Sequence, residues 1–176
     1  MEKKIVIIGK SCSGKTEFAN ILQNKGLRTA ITCTTRPIRL IETDGVHYHF
    51  VSRDQFANLM ETDELVEWDE FNDWFYGLPK SEFEKSDILV VTPRGLLKII
   101  EKFGRDSITV IYLDTSAELR MKRASLRGDK PEEVTRRYST DEKDFEQYLD
   151  SEDWDVRIDQ RMEDKFRFFI DIFSQK

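Results

Sequence analysis

Ile5-Val6-Ile7-Ile8-Gly9-Lys10-Ser11-Cys12-Ser13-Gly14-Lys15-Thr16 is the stretch on which the fold turns. Its first four residues are apolar and β-branched, and they predict a buried strand. The next eight spell G-x-x-x-x-G-K-T, the spacing of a loop that cradles phosphates between a strand and a helix. Gly9 and Gly14 let the backbone curl so that N–H groups, those of Ser11 and Ser13 included, turn inward toward phosphate oxygens. Lys15 sets a cation beside the terminal phosphates, and the Thr16 hydroxyl suits Mg²⁺. The helix that follows carries Phe18, Ile21 and Leu22 on one face, and its positive end adds to the anion site. Strand, spacing and helix together point to a bound nucleoside triphosphate.

The 176 residues suffice for one domain with a full core and room for inserts. No stretch reaches the ~20 apolar residues of a membrane span. The first strand begins within a few residues, which leaves no space for a signal peptide. Two cysteines, Cys12 and Cys33, make no disulfide framework. A cytoplasmic setting without membrane contact is therefore expected, with Cys12 a small tolerated loop residue. The net charge of −6 argues against a nucleic-acid partner. Residues 118–137 hold seven basic and four acidic side chains, whereas 141–155 hold eight acidic ones and one lysine. The basic segment suggests a small anionic ligand, and the acidic one reads as a solvated helix face.

Apolar runs recur at 5–8, about 27–32, 88–91, 108–113 and, weakly, 156–158. Helical patterns fall at 15–24, 93–102, 116–126, 131–149 and 161–173. Such alternation predicts an α/β fold, a central parallel sheet covered on both faces. Pro131 followed by Glu132 and Glu133 suits a helix start. The stripe Phe166, Phe169, Ile170 and Phe173 reads as core packing. Residues 34–84 break the rhythm with β-like pieces at 46–51, 65–71 and 74–77 and one or two short helices. They read as an inserted subdomain, and the Gly128–Lys130 turn as the hinge of a moving cover.

Kinases of small phosphates need cations for the acceptor phosphate, a pocket for the rest of the acceptor, and a cationic lid. Thr34-Thr35-Arg36-Pro37-Ile38-Arg39, then Glu42, Asp44-Gly45, Tyr48 and Phe50, offers guanidinium forks and a phenol suited to phosphate. Here the sequence resembles the guanylate kinase family, whose pattern is T-T-R-x-x-R-x-x-E-x-D/N-G-x-x-Y-x-F. Leu65-Val66-Glu67-Trp68 is similar to its F-(I/L)-E-W, and Phe75-Tyr76-Gly77 to its Y-Y-G. Lys122-Arg123 through Arg127-Gly128, followed by Arg136-Arg137, is similar to its lid pattern. The resemblance spans nearly the whole chain.

That resemblance implies a P-loop NTPase three-layer core (1–33, 86–120 and 150–176), a mixed β/α acceptor-binding subdomain (34–85) and a helical lid (121–149). It implies ATP- and Mg²⁺-dependent phosphorylation of a nucleoside monophosphate, GMP or dGMP first, by a monomer or homodimer. Arg36, Arg39, Tyr48 and Tyr76 would hold the acceptor's phosphate, and Glu67 would accept hydrogen bonds from guanine N1 and N2. Thr32, Leu78 and Thr92 would also line the acceptor site. Lys15, Arg39, Arg123, Arg127 and Arg137 would serve transfer, with Arg136 the rival of Arg137 and Arg120 a surface ion-pairing residue.

Two departures stand out. Leu78 replaces a serine or threonine whose hydroxyl contacts guanine O6. Val90-Val91-Thr92-Pro93-Arg94-Gly95 replaces D-x-D-x-Q-G, so two aspartates are lost. Asp114 is placed to cap the following helix. An acceptor other than GMP (a modified deoxynucleotide or a sugar phosphate) fits these changes, and a non-catalytic module that binds a phosphorylated peptide is the alternative from another class. A GTP-hydrolysing switch lacks its aspartate after Val91 and any N-K-x-D motif.

Overall fold

The computed structural model describes residues 3–40, 42–71, 73–148 and 153–159. In chain order the elements are β1 (Lys4–Ile8), α1 (Lys15–Gln23), β2 (Cys33–Thr34), β3 (His49–Phe50), α2 (Arg53–Glu61), β4 (Leu65–Phe71), β5 (Trp74–Pro79), α3 (Lys80–Lys85), β6 (Ile88–Val90), α4 (Pro93–Phe103), β7 (Ile108–Asp114), α5 (Ala117–Leu126), α6 (Pro131–Tyr148) and β8 (Val156–Asp159). The helix expected at 161–173, with its phenylalanine stripe, lies outside the described residues, as does position 149.

Four parallel strands in the order β6-β1-β7-β8 form the central sheet. The period-2 geometry of a strand explains why Ile5–Ile8 is apolar throughout. Val6 and Ile8 join Leu89, Val110, Leu96 and Ile99 on the α4 face. Ile5 and Ile7 join Phe18, Ala19, Leu22, Ile111 and Leu113 on the α1 face. The architecture is the expected α/β one, with helices on both sides of a parallel sheet.

One expected core strand is corrected. Residues 27–32 make only a single parallel bridge, Thr29 to Ile88, and then leave for a second sheet. The Ile31 N–H donates to the buried Glu82 carboxylate at 3.2 Å instead of joining a ladder. That second sheet has the order β3-β2-β5-β4 and is mixed: β2/β3 run parallel, β2/β5 and β5/β4 antiparallel. The expected run at 46–51 shortens to His49–Phe50, because the N–H groups of Gly45, Val46 and His47 bond within their own turn. Phe56, Cys33 and Leu65 form a small separate core beneath this sheet.

Local chemistry fixes the helix starts that matter for the site. Thr92 caps α4 by accepting the Gly95 N–H at 3.1 Å, with Pro93 in the first turn. Ser116 caps α5. Asp114 therefore has another role from the one expected, pairing with Arg157 across β7/β8. Tyr112 anchors the far end of α6 through rings of Phe145 and Trp154, with centroids 5.5 and 4.9 Å away.

Candidate active site

The phosphate loop lies where β1 ends beside β7. A Cβ on Gly9 would sit 2.5 Å from Ser13 Oγ and 2.9 Å from Leu113 O, so no side chain fits there. Gly14 takes φ +100° and opens α1, a left-handed conformation that favours glycine. Cys12 holds φ +62° without that freedom. Thr115 Oγ1 donates to Ser13 O at 2.9 Å and ties the loop to the end of β7. Lys15 Nζ donates to Gly9 O at 2.6 Å and Lys10 O at 3.2 Å. Burial holds the Lys15 ammonium below its usual range, opposed chiefly by the Asp141 charge. Thr16 is exposed at the mouth of the loop.

Helices α5 and α6 bring four arginines to this loop. Arg123 donates to the carbonyl oxygens of Cys12 and Ser13 at 3.2 and 3.1 Å. Arg127 and Arg137 both pair with Asp129, the latter at 3.4 Å. Hydrogen bonds from Arg127 and the two guanidinium charges outweigh burial, and Asp129 sits below the usual carboxylate range. Arg136 is turned outward to Glu133, whereas Arg137 is mostly covered. Arg120 is not the surface residue expected. It is 2% exposed, faces the Tyr138 ring at 4.1 Å, and pairs with Asp141 and Glu142 at 3.4 Å each.

On the second sheet, Arg36 makes a two-pronged pair with Glu42 at 2.7 and 3.0 Å and lies 5.5 Å from the Tyr48 ring centroid. Tyr48 and Tyr76 meet edge to face at 6.1 Å. Glu42 also accepts the Arg39 N–H at 2.8 Å. The Arg39 guanidinium has no ion pair among the described residues. Burial and the like charges of Arg36 and Arg137, with Arg127 adding to them, press it below its usual range. Arg39 thus feels the charge of Arg36 from its own segment together with those of Arg127 and Arg137.

Glu67 lies in β4, 9% exposed. Its carboxylate sits against the first turn of α4, where a Cβ on Gly95 would come within 3.0 Å of Oε2. Leu78, 0% exposed, is its direct partner across β5 and shares the core of Val66, Leu96 and Ile99. Leu78 thus forms part of the apolar wall behind Glu67. Burial, with the nearby Asp69 charge and despite Lys98, pushes Glu67 up to about 7. Asp69 itself pairs with Arg94 at 2.8 Å. The Thr92 hydroxyl is engaged at the start of α4, as described, and Thr32 O accepts the His49 N–H at 2.9 Å.

The acidic stretch after 140 is only partly the solvated face expected. Asp141 is 9% exposed, and its carboxylate accepts Ser11 N at 2.7 Å and Ser11 Oγ at 3.1 Å. The signal was present in the sequence: Val134, Tyr138, Asp141 and Phe145 recur at helical spacing, which puts Asp141 on the inward stripe of α6. Glu42 stands in the sequence motif without an assigned partner, whereas Asp129, the counter-charge of Arg127 and Arg137, emerges only with the fold.

The model of the family described as guanylate kinase matches residues 1–167. The chain belongs to the guanylate kinase family. It is 32% identical over 141 residues to a guanylate kinase of Symbiobacterium thermophilum, covering 76% of this chain and 67% of the relative. A guanylate kinase of Caldanaerobacter subterraneus is 34% identical over 146 residues, 77% of this chain and 70% of that one. The chain thus spans roughly two thirds of the length of the curated relatives it matches. The crystal structure of guanylate kinase from Anaplasma phagocytophilum superimposes with a TM-score of 0.72 at 21% identity, over 99% of this chain and 87% of that chain. That match concerns the fold. No helix among the described residues is long and apolar enough to cross a membrane.

Proposed function

We propose that this chain is a nucleoside monophosphate kinase that moves the terminal phosphate of ATP to GMP or dGMP. The observation that carries the proposal is the position of Arg39. It lies in one field with Arg36 on the acceptor side and Arg127 and Arg137 on the lid side, beside a complete phosphate loop. Phosphoryl transfer asks for that arrangement: cations around the oxygens of a moving phosphoryl group, with donor and acceptor held in line.

In this reading Gly9, Ser11, Ser13, Gly14, Lys15 and Thr16 hold the ATP phosphates. Arg36, Arg39, Tyr48 and Tyr76 hold the acceptor phosphate. Arg123, Arg127 and Arg137 stabilise the transferred group. An oxygen of the acceptor phosphate forms a bond to the terminal phosphorus as the anhydride bond breaks and ADP leaves. The attacking oxygen is already anionic, so no general base is required. Among the described residues no cluster of three or more histidine, cysteine or carboxylate side chains is placed to hold a metal. In this reading a Mg²⁺ would arrive with the nucleotide phosphates, and the Thr16 hydroxyl, exposed at the mouth of the loop, would be the protein ligand. The ion would neutralise charge on the transferring oxygens.

The buried Glu67 supports guanine as the base. A carboxylate matches the paired N1 and N2 donors, and a base without them leaves it desolvated and unpaired. Leu78 supports a second reading, in which the O6 contact is absent and a modified guanine is also accepted. A phosphotransfer screen with ATP and Mg²⁺ against nucleoside monophosphates and their deoxy forms tests both. Diphosphate formation from GMP or dGMP is expected. ATP binding without turnover of any acceptor overturns the proposal in favour of a binding module.

A further inference from the structure

Asp141 makes an unusual contact for a carboxylate on a lid helix. Both of its oxygens point into the phosphate loop, Oδ2 on the Ser11 amide at 2.7 Å and Oδ1 on the Ser11 hydroxyl at 3.1 Å. Arg120, buried at 2% exposure, stands behind it at 3.4 Å. The next residue, Glu142, takes Lys10 from the same loop and also Arg120. Two oxygens on one centre, accepting from a loop amide and a hydroxyl near the Lys15 charge, reproduce what two oxygens of a phosphoryl group would do there. An amide or hydroxyl in this place would carry no charge to match.

We propose that Asp141 is an internal competitor for the terminal phosphate of the donor nucleotide. This inference rests on the reading of the loop as an ATP site. Ser11 is the loop residue that α6 reaches through Asp141, whereas Gly14 caps α1 and Lys15 and Thr16 open it. The outermost phosphoryl group therefore meets the Asp141 carboxylate, and the inner phosphates do not. ATP must move Asp141 off Ser11 to seat its third phosphate. ADP fills the inner positions and leaves the contact intact. Once the phosphoryl group has gone to the acceptor, Asp141 returns to Ser11, and ADP is held no more tightly than its two phosphates allow. Burial raises the Asp141 carboxyl above its usual range, opposed by Ser11, Lys15 and Arg120. The partners that oppose burial are the same loop and arginine donors that hold the contact.

The test is calorimetric titration of Mg·ATP and Mg·ADP, without acceptor, into the wild-type chain and Asp141→Asn. Removing a competitor that occupies the site most of the time raises apparent affinity by the inverse of the competent fraction. The expected result is ATP binding tightened by about 3- to 10-fold, with ADP binding within about two-fold of wild type. Unchanged or weaker ATP binding in a folded Asp141→Asn overturns the inference, as does an equal change for both nucleotides, which a merely structural role would give. A wild-type chain that binds neither nucleotide overturns the ATP-site reading itself. If Asp141→Asn does not fold because Arg120 loses its more buried partner, the double variant Arg120→Met/Asp141→Ala removes that pair together. The same selective tightening is expected of it.

Discussion

The arginine-rich part of the candidate site and the part around Glu67 solve opposite electrostatic problems. In the arginine-rich part, cations come with resident anions: Arg36 with Glu42, Arg127 and Arg137 with Asp129, and Arg120 with Asp141. In the other part Glu67 is buried without an ion pair among the described residues, and its carboxyl is pushed up to about 7. In the proposed function, ligand binding at the first would exchange one anion for another. At the second it would supply hydrogen-bond donors to a carboxylate that burial disfavours and the Lys98 charge only partly offsets. The arginines are ordered by their own counter-charges, whereas buried Glu67 carries a desolvation penalty that hydrogen-bond donors of a matching base would relieve.

Arg39 is the exception among these arginines, and removing it should have the largest effect. Arg39→Ala takes away the cation shared by acceptor and lid fields. Acceptor kcat/KM should fall roughly 10²- to 10³-fold, with a higher acceptor KM, a lower turnover and ATP binding little changed. Steady-state kinetics in both substrates check this. Normal acceptor kinetics would show that the shared field does not act on the transferring group.

Glu67→Gln breaks the other side of the contrast. GMP kcat/KM should fall by about 10²-fold, because one of the two matched acceptors becomes a donor. The sign for stability follows from the raised carboxyl. The folded chain favours the protonated acid, so Glu67 costs stability progressively as pH rises from about 4.5 through 7. The glutamine variant should accordingly unfold at a higher temperature than wild type at pH 8, by ~2–3 kcal/mol of stability, and show no such gain near pH 4.5. In the wild-type enzyme, KM for GMP should drop as pH is raised through 7, since guanine binds the ionised form. A pH-independent KM would place the base elsewhere.

Leu78→Ser sharpens the comparison with the smallest catalytic change. Leu78 is fully buried opposite Glu67, and its loss should destabilise the fold by about 2–4 kcal/mol. The hydroxyl would make the surroundings of Glu67 more polar and lower its pKa. GMP kcat/KM should stay within about 10-fold of wild type, with improved discrimination against bases that lack O6. A denaturant melt and a two-base competition assay measure the two parts.

Parts of this site were legible in the residues because they are local. The phosphate loop is eight contiguous residues, and its backbone geometry follows from Gly9, Gly14 and the flanking strand and helix. Arg36, Arg39 and Tyr48 lie within one short segment, and Arg123, Arg127 and Arg137 lie on two consecutive helices. Leu78 was visible as a departure, although its place against Glu67 was not. Residues 27–32 misled, because an apolar β-branched run says that a segment is buried, not which backbone groups it bonds.

What the sequence determined by itself, then, was the strand-loop-helix at the glycine-rich motif, the α/β alternation around it, and the spacing of the arginines. These depend on backbone periodicity and on side-chain chemistry within a few residues. Only the tertiary structure decided that Arg120 is buried, that Asp114 faces Arg157, and that Asp141 reaches Ser11 across 130 residues. A charge takes its role from the low-dielectric surroundings and the partners that folding places beside it, and neither is written in the residue's own neighbourhood.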